Sequence, residues 1–488
     1  MRPASIAETI APARLLATPT VPISIAAVGG LAVGAALVSK PQLVVLVIAL
    51  ALAAIGVVVA FSHPAAAFVG LVLMTALIPS YAAPSVGPLL FIPAAAASWV
   101  LAVALGWRNL LQRGRLFRPT VVDLGVGAFV LLMAISTSFS PRGTHTEFLH
   151  VMFLWAGPYL GCRLLLADVK RPMWLLAASF GLATATLAPF ALFEYLGGSN
   201  LFHNLNFNAG EFATWAGQAD RFGQVRVETS FGHPIALSMF VATSALLSLG
   251  MALNTEARRE RNLWYASAAL ALAIQILTVS RTGWLILLIG IVALVLIYAR
   301  GANRRRLVTL VTSVGVALLL ASVVVPSALQ VLPGFEKSES SVTNSSDYRQ
   351  ALLTRALEPG VLNAWGNAQN KVTPFVAIGS ATDNAYIILA DSWGLIPTAA
   401  LIFIALALLW LVVRWYSRDP EALLTIPVAA FAGLVALFFV AFITQQQVVI
   451  WLLLGASGVA AERLSGARKK TRPQPEDRPQ PREVLARM

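Results

Sequence analysis

Residues 258–306 read RRERNLWYASAALALAIQILTVSRTGWLILLIGIVALVLIYARGANRRR, and this stretch decides the class of fold. Between Asn262 and Ala299 the only charged residue is Arg281. The run is long enough for two helices of about 20 residues, each spanning a hydrocarbon core roughly 30 Å thick. Arg281 therefore marks the hairpin between them. Arg258-Arg259-Glu260-Arg261 and the Arg300–Arg306 cluster flank the pair. Lys and Arg concentrate on cytoplasmic loops, which puts both flanks inside and Arg281 outside. A lone Arg in an external hairpin, within Ser280-Arg281-Thr282-Gly283-Trp284, suits an anionic ligand at the outer membrane surface. A snorkelling Arg that meets lipid phosphate is the competing reading.

The rest of the chain repeats the pattern. Of 488 residues, 58% are hydrophobic and 12% charged, and the mean hydropathy is +0.76, which excludes a soluble globular protein. Apolar runs fall at 21–39, 42–62, 65–78, 88–106, 119–137, 148–166, 173–195, 233–253, 263–280, 283–299, 307–326, 393–413, 421–443 and 446–461. They predict an all-α polytopic membrane domain over 21–465, with about 12–14 transmembrane helices. The net charge of +13 does not indicate nucleic acid. Its arginines sit between apolar runs and at the C-terminus, the positive-inside pattern. Residues 1–20 lack a compact apolar core followed by a cleavage site and read as a cytoplasmic tail. Residues 466–488, rich in Pro, Gln, Arg and Glu, read as a disordered basic tail, also cytoplasmic. The single Cys162 excludes an intramolecular disulfide.

Two external loops, 197–232 and 327–384, are then unusually long, and loops of that length are generally functional or disordered. Their aromatics (Phe202, Phe207, Phe212, Trp215, Phe222, Tyr348, Trp365 and Phe375) argue for buried surface or for stacking on sugar faces. A capped surface helix is expected from Ser345 to Leu357. No metal-ligand spacing of His and Cys and no Walker-type loop occurs, so neither a metal nor another cofactor is expected. Asn344-Ser345-Ser346 and Gly30-Leu31-Ala32-Val33-Gly34 are short patterns of little weight.

Three places on the outer side carry groups suited to chemistry. Arg221 and Arg226 end the first long loop, just before Ser230-Phe231-Gly232-His233-Pro234 opens a helix; at least one suits phosphate. Arg281 is the second place. The third is Thr382-Asp383-Asn384-Ala385-Tyr386, ahead of a helix through Asp391, Trp393, Gly394 and Pro397. Asp383 is either a helix cap or a general base, and spacing by itself favours the cap.

Taken together, these features resemble the O-antigen ligase and polymerase superfamily, over about residues 170–460. The resemblance rests on Arg226, Gly232 and Pro234 at a helix start, on Ser280, Arg281 and Gly283 in a hairpin, and on Arg349 within the second loop. It also rests on Asp383-Asn384 followed after nine residues by Gly394 and then Pro397-Thr398. The ligases carry a functional His where this chain has Asp383, which leaves ligase against polymerase open; His233 is a reserve imidazole.

The resemblance implies a metal-independent glycosyltransferase of the cytoplasmic (inner) membrane, active on its external face in cell-surface polysaccharide synthesis. The donor would be a polyprenyl-diphosphate-linked glycan and the acceptor a sugar or another lipid-linked glycan. Catalytic roles fall to Arg226, Arg281 and Asp383, and substrate binding to Arg221, His233, Arg349 and Asn384. A glycan transporter or flippase is the main alternative, although the chain has few mid-span ionisable residues and no internal repeat. A non-catalytic scaffold of a polysaccharide-synthesis complex is the other.

Overall fold

The computed structural model describes residues 55–83, 85–86, 89–139, 143–205, 208, 210, 212, 220–221, 224–298, 351–366, 384–416, 422–441 and 444–470. The apolar runs 21–39 and 307–326, both termini, Gly30, Gly34, Asn344, Arg349 and Asp383 lie outside the described residues, as does most of the second long loop.

The architecture is helical. The main helices are α1 (Pro64–Leu77), α2 (Pro93–Arg113), α3 (Val121–Ser138), α4 (Gly143–Ala167), α5 (Pro172–Gly197) and α6 (Pro234–Asn254). They are followed by α7 (Arg258–Leu277), α8 (Arg281–Tyr298), α9 (Ala385–Trp393), α10 (Leu395–Trp415), α11 (Thr425–Ala436) and α12 (Thr444–Lys470). Two antiparallel ladders of two residues per strand, Ser85–Val86 with Leu89–Leu90 and Asp220–Arg221 with Gln224–Val225, close tight hairpins in loops. Nine described segments are long and apolar enough to cross a membrane, so the chain is a polytopic helical membrane protein. Leu111, Leu131, Leu196, Leu288, Leu296 and Leu406 are exposed on these helices, a surface that suits lipid tails.

The centre of the bundle is α6, 94% of whose span is buried. Helices in lipid gain no hydrophobic drive from meeting each other, so small and hydroxyl side chains make the seams. Along α6, Ser244 accepts from Thr184 of α5 (2.9 Å), and Ser248 pairs with Ser267 of α7 (3.0 Å). Near its start, Ser238 donates to Ser280 in the α7–α8 hairpin (2.9 Å). Glycines allow the closest approaches. A Cβ at Gly455 of α12 would stand 2.5 Å from the Tyr159 carbonyl of α4.

Hydrogen bonds between helix ends and loops sort into two rims. At one, Arg108 and Arg113 both pair with Asp168, and Arg463 donates to the carbonyls of Ala167, Val169 and Lys170. There too, fully buried Arg163 reaches Asp123 (3.0 Å) and Glu462 (2.8 Å), joining α4 to α3 and α12. At the other rim, Gln445 donates to the Ile78 carbonyl (2.8 Å), Asn208 N–H to Tyr81 (2.9 Å) and Ser136 to Trp365 (3.0 Å). Arg108, Arg113, Arg163 and Arg463 thus gather at one end of the bundle and the described parts of the long loops at the other.

Three boundaries differ from expectation. The run 393–413 is interrupted at Gly394, which ends α9 and starts α10. The run 421–443 ends its helical course at Phe439. The tail expected to be disordered from 466 is helical to Lys470, because Ala, Arg and Lys continue a helix readily.

Candidate functional site at the long-loop rim

The α7–α8 hairpin is minimal. Helix α7 ends at Leu277 and α8 begins at Arg281, leaving Thr278, Val279 and Ser280 to reverse the chain. Val279 takes φ 47, a left-handed conformation that a β-branched residue rarely adopts. The Gln275 amide donates to the Ser280 carbonyl (3.1 Å) and packs where a Cβ at Gly283 would stand, so Gly283 permits the turn. Half-buried Arg281 is the first residue of α8. A cation there opposes the helix dipole, which by itself favours an anion at that end. A helix start attracts an anion, and a guanidinium beside it adds to that attraction.

Arg226 comes to the same place. Its Nε donates to the Thr278 carbonyl (3.2 Å), and the next backbone N–H, of Val227, donates to the Leu277 carbonyl (3.1 Å). His233 is the N-cap of α6, and its Nδ1 accepts from Ile235 N–H (3.2 Å). The neighbouring Ser238–Ser280 bond sets the starts of α6 and α8 side by side. Burial first, and then the Arg226 charge, hold the His233 imidazole down at about 4. A neutral ring whose Nδ1 accepts must carry its proton on Nε2, so His233 is a hydrogen-bond donor at neutral pH.

Of the sequence-predicted residues, Arg226, His233 and Arg281 are therefore brought to one corner. Arg221 lies in the 220–225 hairpin, paired with Gln224. Asn384 has a structural duty: its Oδ1 accepts from Tyr386 N–H (3.0 Å) and Ile387 N–H (3.1 Å), making it the N-cap of α9. The cap expected at Asp383 is thus one residue later. The spacing from Asn384 to Thr398 encodes a cap, a helix of nine residues and a break. At the break, Gly394 has φ 101, and Leu395 N–H donates to the Asn363 carbonyl (2.9 Å). Thr398 then donates back to the Gly394 carbonyl (2.8 Å).

A second cluster adjoins the arginines and was not singled out from the sequence. Glu194, on the last turns of α5, accepts from the N–H groups of Glu228 (3.1 Å) and Thr229 (2.9 Å). Thr229 is left-handed, with φ 47, and Asn200 donates to its carbonyl (2.8 Å). Fully buried Glu228 pairs through Oε1 with His203 Nε2 at 2.6 Å. Burial pushes the Glu228 carboxyl up, while His203, Asn200 and Arg226 act to hold it down. Tyr81 and Phe212 meet the His203 ring edge-on, with centroids at 6.2 and 5.2 Å. Burial and the Glu228 and Glu194 charges push the Tyr81 phenol well above its ordinary range. The sequence signal was Glu194 itself, a carboxylate at the end of an apolar run.

The corner thus gathers two arginine-bearing segments at the α7–α8 turn, beside a buried acid–imidazole pair, a set of groups suited to an anion. No known protein-family model matches the chain, and no curated protein matches it either.

Proposed function

We propose that the protein is a membrane glycosyltransferase that transfers or polymerises a polyprenyl-diphosphate-linked glycan at the external face of the cytoplasmic membrane. The observation that carries this reading is the bond from Arg226 to the turn that launches Arg281. It draws two guanidinium-bearing segments, far apart in sequence, to the same α7–α8 turn. A diphosphate leaving group requires such paired, preorganised positive charge, because charge builds on it as the sugar–phosphate bond breaks. Guanidinium forks grip two phosphate oxygens at once and need no metal to do so. A lipid-linked donor would approach sideways from the bilayer, where the reacting diphosphate sits at headgroup depth. Glycan binding falls to Arg221, Arg349 and the loop aromatics, donation through Nε2–H to His233, and orientation of the acceptor to Asp383 beside the Asn384 cap. The external orientation is the one the positive-inside rule favours for a rim opposite basic residues.

The direct test is reconstitution of the full chain in vesicles with a fluorescent polyprenyl-diphosphate-linked oligosaccharide. Transfer of the glycan with release of polyprenyl diphosphate is the expected result. Movement of the intact lipid-linked glycan between leaflets, without bond cleavage, would establish the flippase alternative. Neither transfer nor movement would leave the scaffold.

A further inference from the structure

We infer that His203, held by Glu228, is the general base that takes the proton from the acceptor hydroxyl. The inference rests on the transferase reading above and names the base of that same site.

The geometry is that of an oriented imidazole. Glu228 is fully buried, and its Oε1 lies 2.6 Å from His203 Nε2. When Glu228 is ionised it only accepts, and Nε2 then carries the hydrogen while Nδ1 presents its lone pair. The Tyr81 and Phe212 rings fix the imidazole plane from two sides, yet about a quarter of the His203 side chain (23%) remains exposed. The ring is thus held on two sides and by Glu228, and is partly exposed among the described residues. The other carboxylate oxygen, Glu228 Oε2, is buried without a hydrogen-bond partner among the described residues. An under-partnered buried carboxylate is costly as it stands and is relieved when the adjacent imidazole becomes cationic.

The surroundings agree. Glu228 is two residues from Arg226, whose charge acts on both Glu228 and His233. Glu194 and Asn200 clamp the 228–229 backbone, and the left-handed Thr229 is held between them. Backbone strain of this kind persists where surrounding structure over-determines it, commonly at working sites. In the step itself, the acceptor oxygen bonds to the anomeric carbon as the bond from that carbon to the phosphate oxygen breaks. The bonding pair leaves on the diphosphate, held by Arg226 and Arg281. The hydroxyl proton passes to His203 Nδ1 and afterwards to water. Glu228 is a positioning residue.

The test uses the full-length protein in vesicles and the fluorescent polyprenyl-diphosphate-linked oligosaccharide, with released polyprenyl diphosphate as the readout. His203→Asn preserves a donor toward Glu228 but supplies no base, and is expected to cut turnover roughly 100-fold or more with little change in KM. His203→Gly is expected to regain activity with added imidazoles, and the regained rate should rise with their basicity. Rescue that ignores basicity would mean that the ring only fills space, and would overturn the assignment. So would His203→Asn turning over within a few-fold of wild type while Asp383→Asn is inactive; in that case the transferase reading stands and only the base is wrong. A wild-type protein that releases no polyprenyl diphosphate overturns the transferase reading, and the base falls with it.

Discussion

Arg226 Nε donates to the carbonyl of Thr278, 52 residues later in the chain and three before Arg281. The bond uses one guanidinium nitrogen to fasten the end of the first long loop to the α7–α8 turn. The consequence is mechanical as well as electrostatic: displacing Arg226 also loosens the turn from which Arg281 emerges.

Arg281→Lys separates charge from geometry. Lys retains the positive charge but lacks the planar fork. If Arg281 stabilises the departing diphosphate, turnover falls by about 3 kcal/mol, roughly 100-fold, with expression and insertion unchanged. Turnover within a few-fold of wild type would restore the lipid-snorkelling reading.

Arg226 and Arg281 are expected to act as one unit. In a double-mutant cycle of Arg226→Gln and Arg281→Gln, the two losses in kcat/KM should fall short of adding by at least about 1 kcal/mol. Additive losses would place the two arginines at independent sites.

His233 predicts a pH dependence. Its folded value of about 4 lies below the ordinary 6.5, so the unfolded chain takes up the proton more readily. Stability from this group is complete above about pH 6.5 and is lost as pH falls toward 4, on the order of 3 kcal/mol in all. Thermal unfolding in detergent should show this slope, and His233→Asn, which can cap without titrating, should flatten it. An unchanged slope in that variant would assign the acid sensitivity elsewhere.

Asn384 is expected to matter as a cap. Asn384→Ala should lower stability by about 1 kcal/mol, and Asn384→Ser should restore it. If the Ser variant is stable but transfers more than tenfold more slowly, the amide binds substrate as well. Gly394→Ala is expected to cost more than loss of the cap, since its φ of 101 disfavours a side chain and its Cβ would meet the Ala364 carbonyl.

The sidedness is open to single-cysteine labelling in a Cys162→Ala background. Asn204 and Arg259 are both exposed, at opposite rims. Asn204→Cys should react with an impermeant maleimide in intact cells, and Arg259→Cys only after permeabilisation. The reverse pattern would invert the topology and remove the external transferase.

The sequence alone determined the helical membrane class and the α7–α8 hairpin at Arg281. These are local or periodic properties: a bilayer requires about 20 apolar residues per crossing whatever surrounds them, and basic loops register independently of packing. It also marked Arg226, His233 and Arg281 individually. Their meeting at one corner was decided by tertiary structure, through bonds such as Arg226 to Thr278 and Ser238 to Ser280. Asn384 and Gly394 show the reverse: a spacing read as a chemical motif is also the geometry of a cap and a helix break. The pairing of His203 with Glu228 was invisible, because neither residue carries a local pattern. What joins them is burial: Glu194 and Asn200 fold a 25-residue excursion back on itself, and a buried carboxylate takes the partner that the fold provides.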